Sequence, residues 1–183
     1  MKKIICLYGG PAAGKSTMTA ELYVLLKKMH YNCEMNREYV KEWVWEGREI
    51  KEGDQTYFFA KQSRKERQYI EKQVDFIITD SPLVLTHFYG LKYDPMEQEC
   101  NTSLIMLKHH HVFCKKHGYK VEHFFVNRKE DYNYNTAERN ETEEQAKQYD
   151  KEIRELLASL NIKLVDVSSA QEIIDRLVNK ESV

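Results

Sequence analysis

The chain has 183 residues, a length that suits one domain, 1–183, with one substantial core. Charged residues make up 31% and hydrophobic residues 42%, and the net charge is −1, which excludes a disordered polymer and a global basic field for nucleic acid but leaves a local basic groove open. No apolar run approaches a membrane span, and no signal peptide is expected before the first one. Cys6, Cys33, Cys100 and Cys114 form no CxxC pair, so a cytoplasmic protein with free thiols is expected.

In chain order, Ile4-Ile5-Cys6-Leu7-Tyr8 predicts a buried strand over 3–8, and Leu22, Leu25, Leu26 and Met29 recur at helical spacing over 15–29. Between them Gly9, Gly14, Lys15 and Ser16 fit G-x-x-x-x-G-K-[ST], the phosphate-binding loop, with the strand before and helix after that the motif requires. Gly9, Gly10, Pro11, Ala12, Ala13, Gly14, Lys15, Ser16 and Thr17 are therefore expected to hold ATP. Backbone N–H groups and the helix N-terminus cradle phosphates, Lys15 reaches the β- and γ-phosphates, and Ser16 ligates Mg²⁺.

A strand over 32–36 and a helix over 38–46 follow, with Arg37 and Glu38 at the junction. At a strand's carboxyl end a carboxylate can serve as general base for an acceptor hydroxyl and an arginine can clamp phosphate; a solvated helix start explains the same pair. After a helix over 54–73, "VDFIITDSP" predicts a doubly covered strand over 74–79 that ends in Asp80. Asp80 is a candidate Mg²⁺ ligand with Ser16, or a helix N-cap before Pro82, and the two roles are compatible. Helices over 83–90 and 96–117 precede a strand over 120–126. Within the second, His110, Cys114 and His117 share one face, but a solvent-facing helix end accounts for them without a metal.

The polar segment 127–145 is longer than a plain connection and is expected to supply a lid at about 127–141. It brings Arg128 and Arg139, able to stabilise a transferring phosphoryl group, and Tyr132 to Asn135 as candidates to meet a base or ribose. Thr142 reads as the N-cap of a helix over 142–160, followed by a strand over 162–167 and a helix over 169–179. Strand–helix alternation throughout argues for an α/β protein, a parallel sheet covered on both faces.

With these residues in hand, "GGPAAGKST", "NCEMNREYVKEWVWEG", "VDFIITDSPLVL" and "RNETEEQAKQYD" resemble the P-loop nucleoside and nucleotide kinase-like ATPases, especially small bacteriophage proteins, from Lys3 to about Val167. "EYVKEW" and Gln62 are also similar to the nicotinamide riboside kinase domain. The resemblance implies a three-layer P-loop NTPase fold with a five-stranded parallel sheet in the order 2-3-1-4-5 and a lid. It also implies that Glu38 serves an acceptor hydroxyl and that Gln62 reads a base, as their counterparts do in deoxynucleoside kinases. Arg37-Glu38-Tyr39 stands where thymidylate kinases carry Arg-Glu-Pro. Ser81 stands where such kinases have an arginine, and Asn135-Thr136-Ala137-Glu138-Arg139 where the phage group often has Asn-Pro-x-Gly-Arg.

The expected activity is ATP- and Mg²⁺-dependent phosphotransfer to a hydroxyl of a nucleoside-type acceptor, with Arg37, Glu38, Gln62 and Asp80 at the substrate. Three alternatives stand beside it: a nucleoside monophosphate kinase drawing on Arg37, Arg48, Arg64 and Arg67; a kinase of hydroxymethylated bases in phage DNA, working in the host cytoplasm; and an ATP-switched binding protein. No membrane partner is expected, and a homodimer is left open.

Overall fold

β1 (Lys2–Tyr8) lies between β3 (Phe76–Thr79) and β4 (Tyr119–Val126), with β2 (Cys33–Asn36) outside β3 and β5 (Val165–Val167) outside β4. Every pairing is parallel, so the computed structural model, which describes residues 2–128 and 142–178, has the order 2-3-1-4-5. The eight helices of the described residues are α1 (Lys15–Lys28), α2 (Tyr39–Trp45), α3 (Asp54–Glu71), α4 (Leu83–Tyr93), α5 (Pro95–Cys100), α6 (Thr102–Lys116), α7 (Glu143–Ser159) and α8 (Ala170–Leu177).

Side chains alternate across a strand, and both faces of β1 are covered. Ile4, Cys6 and Tyr8 pack with Ile70 of α3, Phe88 of α4, Cys114 of α6 and Ile153 of α7. Ile5 and Leu7 pack on the other face with Leu22 and Leu26 of α1 and Ile173 and Leu177 of α8. Each such wholly buried Leu or Ile contributes about 1.5–3 kcal/mol, so the continuous apolar reading of β1 is the energetic reason for three layers. Cys6 and Cys33 are buried free thiols in β1 and β2, as their strand positions imply. Lys3, itself buried, donates to the Leu177 carbonyl at 2.8 Å and ties the first strand to the last helix.

Two expectations change. The single helix over 96–117 is two helices, because Asn101 adopts the left-handed conformation (φ 50°) between α5 and α6. Asp94 caps α5 by accepting from the Met96 N–H, with Pro95 at the first helical position. The strand over 162–167 shortens to Val165–Val167. The Thr142 cap is present as a full capping box: Thr142 Oγ1 accepts from the Gln145 N–H and Gln145 Oε1 accepts from the Thr142 N–H. Among the described residues no helix is long and apolar enough to cross a membrane.

Candidate active site

The loop from β1 to α1 depends on backbone freedom at its two ends. Gly9 (φ 144°) and Gly14 (φ 88°) take conformations that side chains rarely adopt, and a Cβ on Gly9 would stand 2.9 Å from that of Ala13. Ala12 also lies in the left-handed region, at φ 59°. Gly14 is the N-cap of α1, no side chain caps that helix, and its first turn holds no acidic residue. The N-terminal N–H groups and the positive end of the helix dipole are thus left to an anion.

Lys15 folds back over the loop, donating to the carbonyls of Gly9 at 2.7 Å and Gly10 at 2.8 Å. Burial pushes the Lys15 ammonium pKa below its ordinary value; Glu38, Asp80 and Asp150 oppose that shift and Arg128 adds to it. Four charged residues from separate parts of the chain thus act electrostatically on one ammonium group. Ser16 and Thr17 are exposed beside it on the first turn of α1.

Asp80 follows β3 directly. It is buried, and its Oδ1 has no hydrogen-bond partner among the described residues. The alternative role as helix cap is not realised: Pro82 is the N-cap of α4, without a side-chain cap bond. A buried carboxylate oxygen with no donor is costly, and a divalent cation satisfies it, so the donor set Ser16 and Asp80 fits Mg²⁺.

Arg37 and Glu38 follow β2 and are exposed, with Glu38 at the N-cap position of α2. Beyond Glu38 stands an aromatic wall: Tyr39 and Tyr57 rings are 5.9 Å apart, Trp43 and Tyr57 5.7 Å, and Trp43 and Phe58 5.3 Å. Trp43 also borders a cleft of about 420 Å³ lined by Arg48, Glu49, Lys51 and Asp54. Gln62, expected to face a base, is instead turned inward and 4% exposed, its amide bonded to Tyr39 and Ser81.

Arg128, at the end of the described segment after β4, pairs with Asp150 of α7 and donates to the Ala146 carbonyl at 3.1 Å. Asp150 Oδ1 also accepts from the Gly10 N–H at 2.6 Å. Asp150 escaped the sequence reading. It lies two turns inside α7, and only its helical face, shared with Ala146 (i, i+4), hints that it meets the loop. Arg139 and residues 132–135 lie outside the described residues.

The close approach of α7 explains Gly10. A Cβ there would meet the Ala146 carbonyl oxygen at 2.5 Å, Arg128 Nη2 at 2.9 Å and Asp150 Oδ1 at 3.1 Å. Gly10→Ala is expected to destabilise the protein by about 1–3 kcal/mol in denaturant unfolding, through overpacking against backbone. Parent-like stability would mean that α7 does not press on the loop.

The His109–His117 segment is not simply solvent-facing. His110 and Cys114 are buried, and their ligand atoms lie within 4.8 Å of one another and of Glu66. His110 Nε2 bonds Glu66 Oε1 at 2.6 Å and His110 Nδ1 bonds Ser63 Oγ at 3.2 Å, so both ring nitrogens are engaged in joining α6 to α3. His117 Nδ1 instead bonds the Phe113 carbonyl of its own helix at 2.9 Å.

The sheet order, the glycine loop between β1 and α1, and Lys15 and Asp80 at adjacent strand ends define a P-loop fold of the nucleotide-kinase type. The chain belongs to the AAA_28 family, described as an AAA domain, whose model matches residues 4–173. Among solved structures it is similar to NadR protein in complex with NR (TM-score 0.70, 18% identity). That match covers all of this chain and 52% of the other, so the chain spans about half the length of that relative. It is also similar to thymidylate kinase from Ehrlichia chaffeensis (TM-score 0.55, 13% identity, 100% of each chain). A third likeness is to APE1195 (TM-score 0.52, 15% identity, all of this chain and 96% of that one). No curated protein sequence matches the chain.

Proposed function

We propose that the chain is an ATP-dependent phosphotransferase, one catalytic domain over 1–183, that transfers the γ-phosphate to a hydroxyl of a nucleoside-type acceptor. The observation that carries this reading is the placement of Glu38 and Asp80 directly after β2 and β3, neighbouring strands whose ends lie beside the phosphate loop that follows β1. One carboxylate is buried and lacks a donor at Oδ1, as suits a metal ligand; the other is exposed at a helix start, as suits a base that meets a substrate.

In this mechanism Lys15 exchanges the carbonyls of Gly9 and Gly10 for the β- and γ-phosphate oxygens. The N-terminus of α1 adds its N–H groups. Mg²⁺ held by Ser16 and Asp80 would neutralise phosphate charge. Glu38 orients the acceptor hydroxyl and takes its proton. Arg128, steadied by Asp150, contributes positive charge over the phosphoryl group, and Arg37 stands at the acceptor side; Arg139, outside the described residues, is the second candidate cation. The aromatic wall of Tyr39, Trp43 and Tyr57 offers ring faces to a planar base.

The cations that a monophosphate acceptor needs are partly committed elsewhere, which favours the hydroxyl. Arg67 lies 4.7 Å over the Phe113 ring and bonds His109, and Arg48 pairs with Glu46 at 2.8 Å. The deciding experiment offers labelled ATP with nucleosides, nucleoside monophosphates and hydroxymethylated DNA, and follows the label. Transfer to a nucleoside is expected. Label on a monophosphate or on DNA would reassign the acceptor, and acceptor-independent ATP turnover would mark a switch.

The metal assignment has its own test. Asp80→Asn keeps the size of the side chain but removes its charge, and is expected to raise the Mg²⁺ needed for half-maximal turnover about tenfold, roughly 1.4 kcal/mol. An unchanged Mg²⁺ titration would remove Asp80 from the metal site.

A further inference from the structure

We infer that Gln62 is a positioning residue: one buried amide ties the turn that carries Glu38 to the turn that carries Asp80 and so sets the two carboxylates relative to each other. The inference rests on the phosphotransferase reading above and assigns Gln62 a part other than contact with the acceptor's base.

The geometry begins with strand register. β2 and β3 are parallel neighbours, and their last paired residues are Asn36 and Thr79. Arg37-Glu38-Tyr39 and Asp80-Ser81-Pro82 therefore leave the sheet side by side, with no further ladder bond between them. Gln62 of α3 spans that gap. Its Nε2 donates to the Ser81 carbonyl at 2.6 Å, and its Oε1 accepts from the Tyr39 N–H at 3.3 Å. Its own backbone carbonyl accepts from Asn36 Nδ2 at 3.3 Å. Residue 62 thus touches both sides of the Arg37–Glu38 pair and the residue directly after Asp80.

The amide's orientation follows from its partners. A carbonyl can only accept and a backbone N–H can only donate, so nitrogen must face Ser81 and oxygen must face Tyr39. At 4% exposure, with both ends engaged, the amide is directed into the protein. A carboxylate at the same position would keep the Tyr39 bond but set an acceptor against the Ser81 carbonyl. A thioether of similar length would lose both bonds.

The test uses Gln62→Met and Gln62→Glu in the full chain. Amide hydrogen exchange at Tyr39 is read on the protein alone, and kcat and KM are read for ATP and for several nucleosides that differ in base. Faster Tyr39 exchange is expected in Gln62→Met. Both variants should lose kcat by about ten- to a hundredfold, the scale of a small misplacement of reacting groups, by the same factor for every base and with little change in KM for ATP. In Gln62→Glu, lowering the pH protonates the new carboxyl, which can then donate to Ser81, so activity relative to the parent at the same pH should recover.

Unchanged Tyr39 exchange overturns the clamp. Faster exchange with parent-like kcat overturns the positioning role, and losses that depend on the base return Gln62 to base recognition. A parent protein that phosphorylates no acceptor defeats the phosphotransferase reading instead, and the exchange measurement judges the clamp separately.

Discussion

Lys15→Ala is expected to lower phosphotransfer by about 10²–10³-fold at saturating Mg·ATP, the scale for removing one charged or oriented donor from a developing phosphoryl charge. Lys15 already points into the loop, at the Gly9 and Gly10 carbonyls, so it needs only to trade acceptors when phosphates arrive. Its charge is held among Glu38, Asp80 and Asp150 by attraction that opposes the cost of burial. Alanine removes the charge without opening a core cavity, because Lys15 is only partly buried and the core of α1 is built from Met18, Leu22 and Leu26. Thermal unfolding should therefore stay close to the parent while turnover collapses. Retained turnover at unchanged Mg·ATP would sink the phosphate-loop assignment, and loss of the folded state would show that Lys15 matters structurally first.

Glu38→Gln is expected to cost about 10²–10⁴-fold in kcat, because a hydroxyl acceptor must surrender its proton during transfer and glutamine cannot take it. Acceptor affinity should change little, since the glutamine oxygen still accepts a hydrogen bond from the hydroxyl. The variant should also lose the acid limb of the pH–rate profile, which in the parent reports protonation of that base. The complementary substitution, Arg37→Ala, should then be mild. A phosphate acceptor reverses the pattern: its oxygen is already ionised, so Glu38→Gln would be tolerated and Arg37→Ala would weaken acceptor binding through lost charge. A near-parent Glu38→Gln protein beside a crippled Arg37→Ala protein would move the acceptor to a nucleoside monophosphate.

The parts that local sequence determines were legible. Gly9 and Gly14 mark backbone conformations that few other residues adopt, and both have positive φ. The continuous apolar runs of β1 and β3 required two covered faces, and the sheet has them. Thr142 was readable as an N-cap and is one, and the structure adds Gln145 to complete a capping box. The break at Asn101 was hidden because asparagine enters the left-handed region only where its context requires it, and helical periodicity runs through it unmarked.

The features missed in the candidate site are long-range pairings. Glu66 and His110 are 44 positions apart, Gln62 and Tyr39 23, and Gly10 and Asp150 140; no spacing rule connects them. The placement of Gln62 illustrates the difference. Its residue type was readable as a hydrogen-bonding amide, but its bonds to Tyr39 and Ser81 depend on the neighbouring ends of β2 and β3, which no local spacing reveals.

The tie between Lys3 and the Leu177 carbonyl bears on when this protein becomes competent during its synthesis. β1 precedes all of its partners in the sequence, yet it is the central strand: its partners are residues 76–79 and 119–126, and one of its faces is closed by the helix over 170–177. At about 5–20 residues per second, synthesis from residue 2 to residue 126 takes roughly 6–25 s, and until then the strand beneath the phosphate loop lacks one of its two neighbours. Contacts this distant in sequence close slowly, so the nascent chain carries an apolar centre strand with one edge unpaired until β4 is made. A ligand that binds only the folded loop cannot stabilise β1 before the strand's sheet partners have been made.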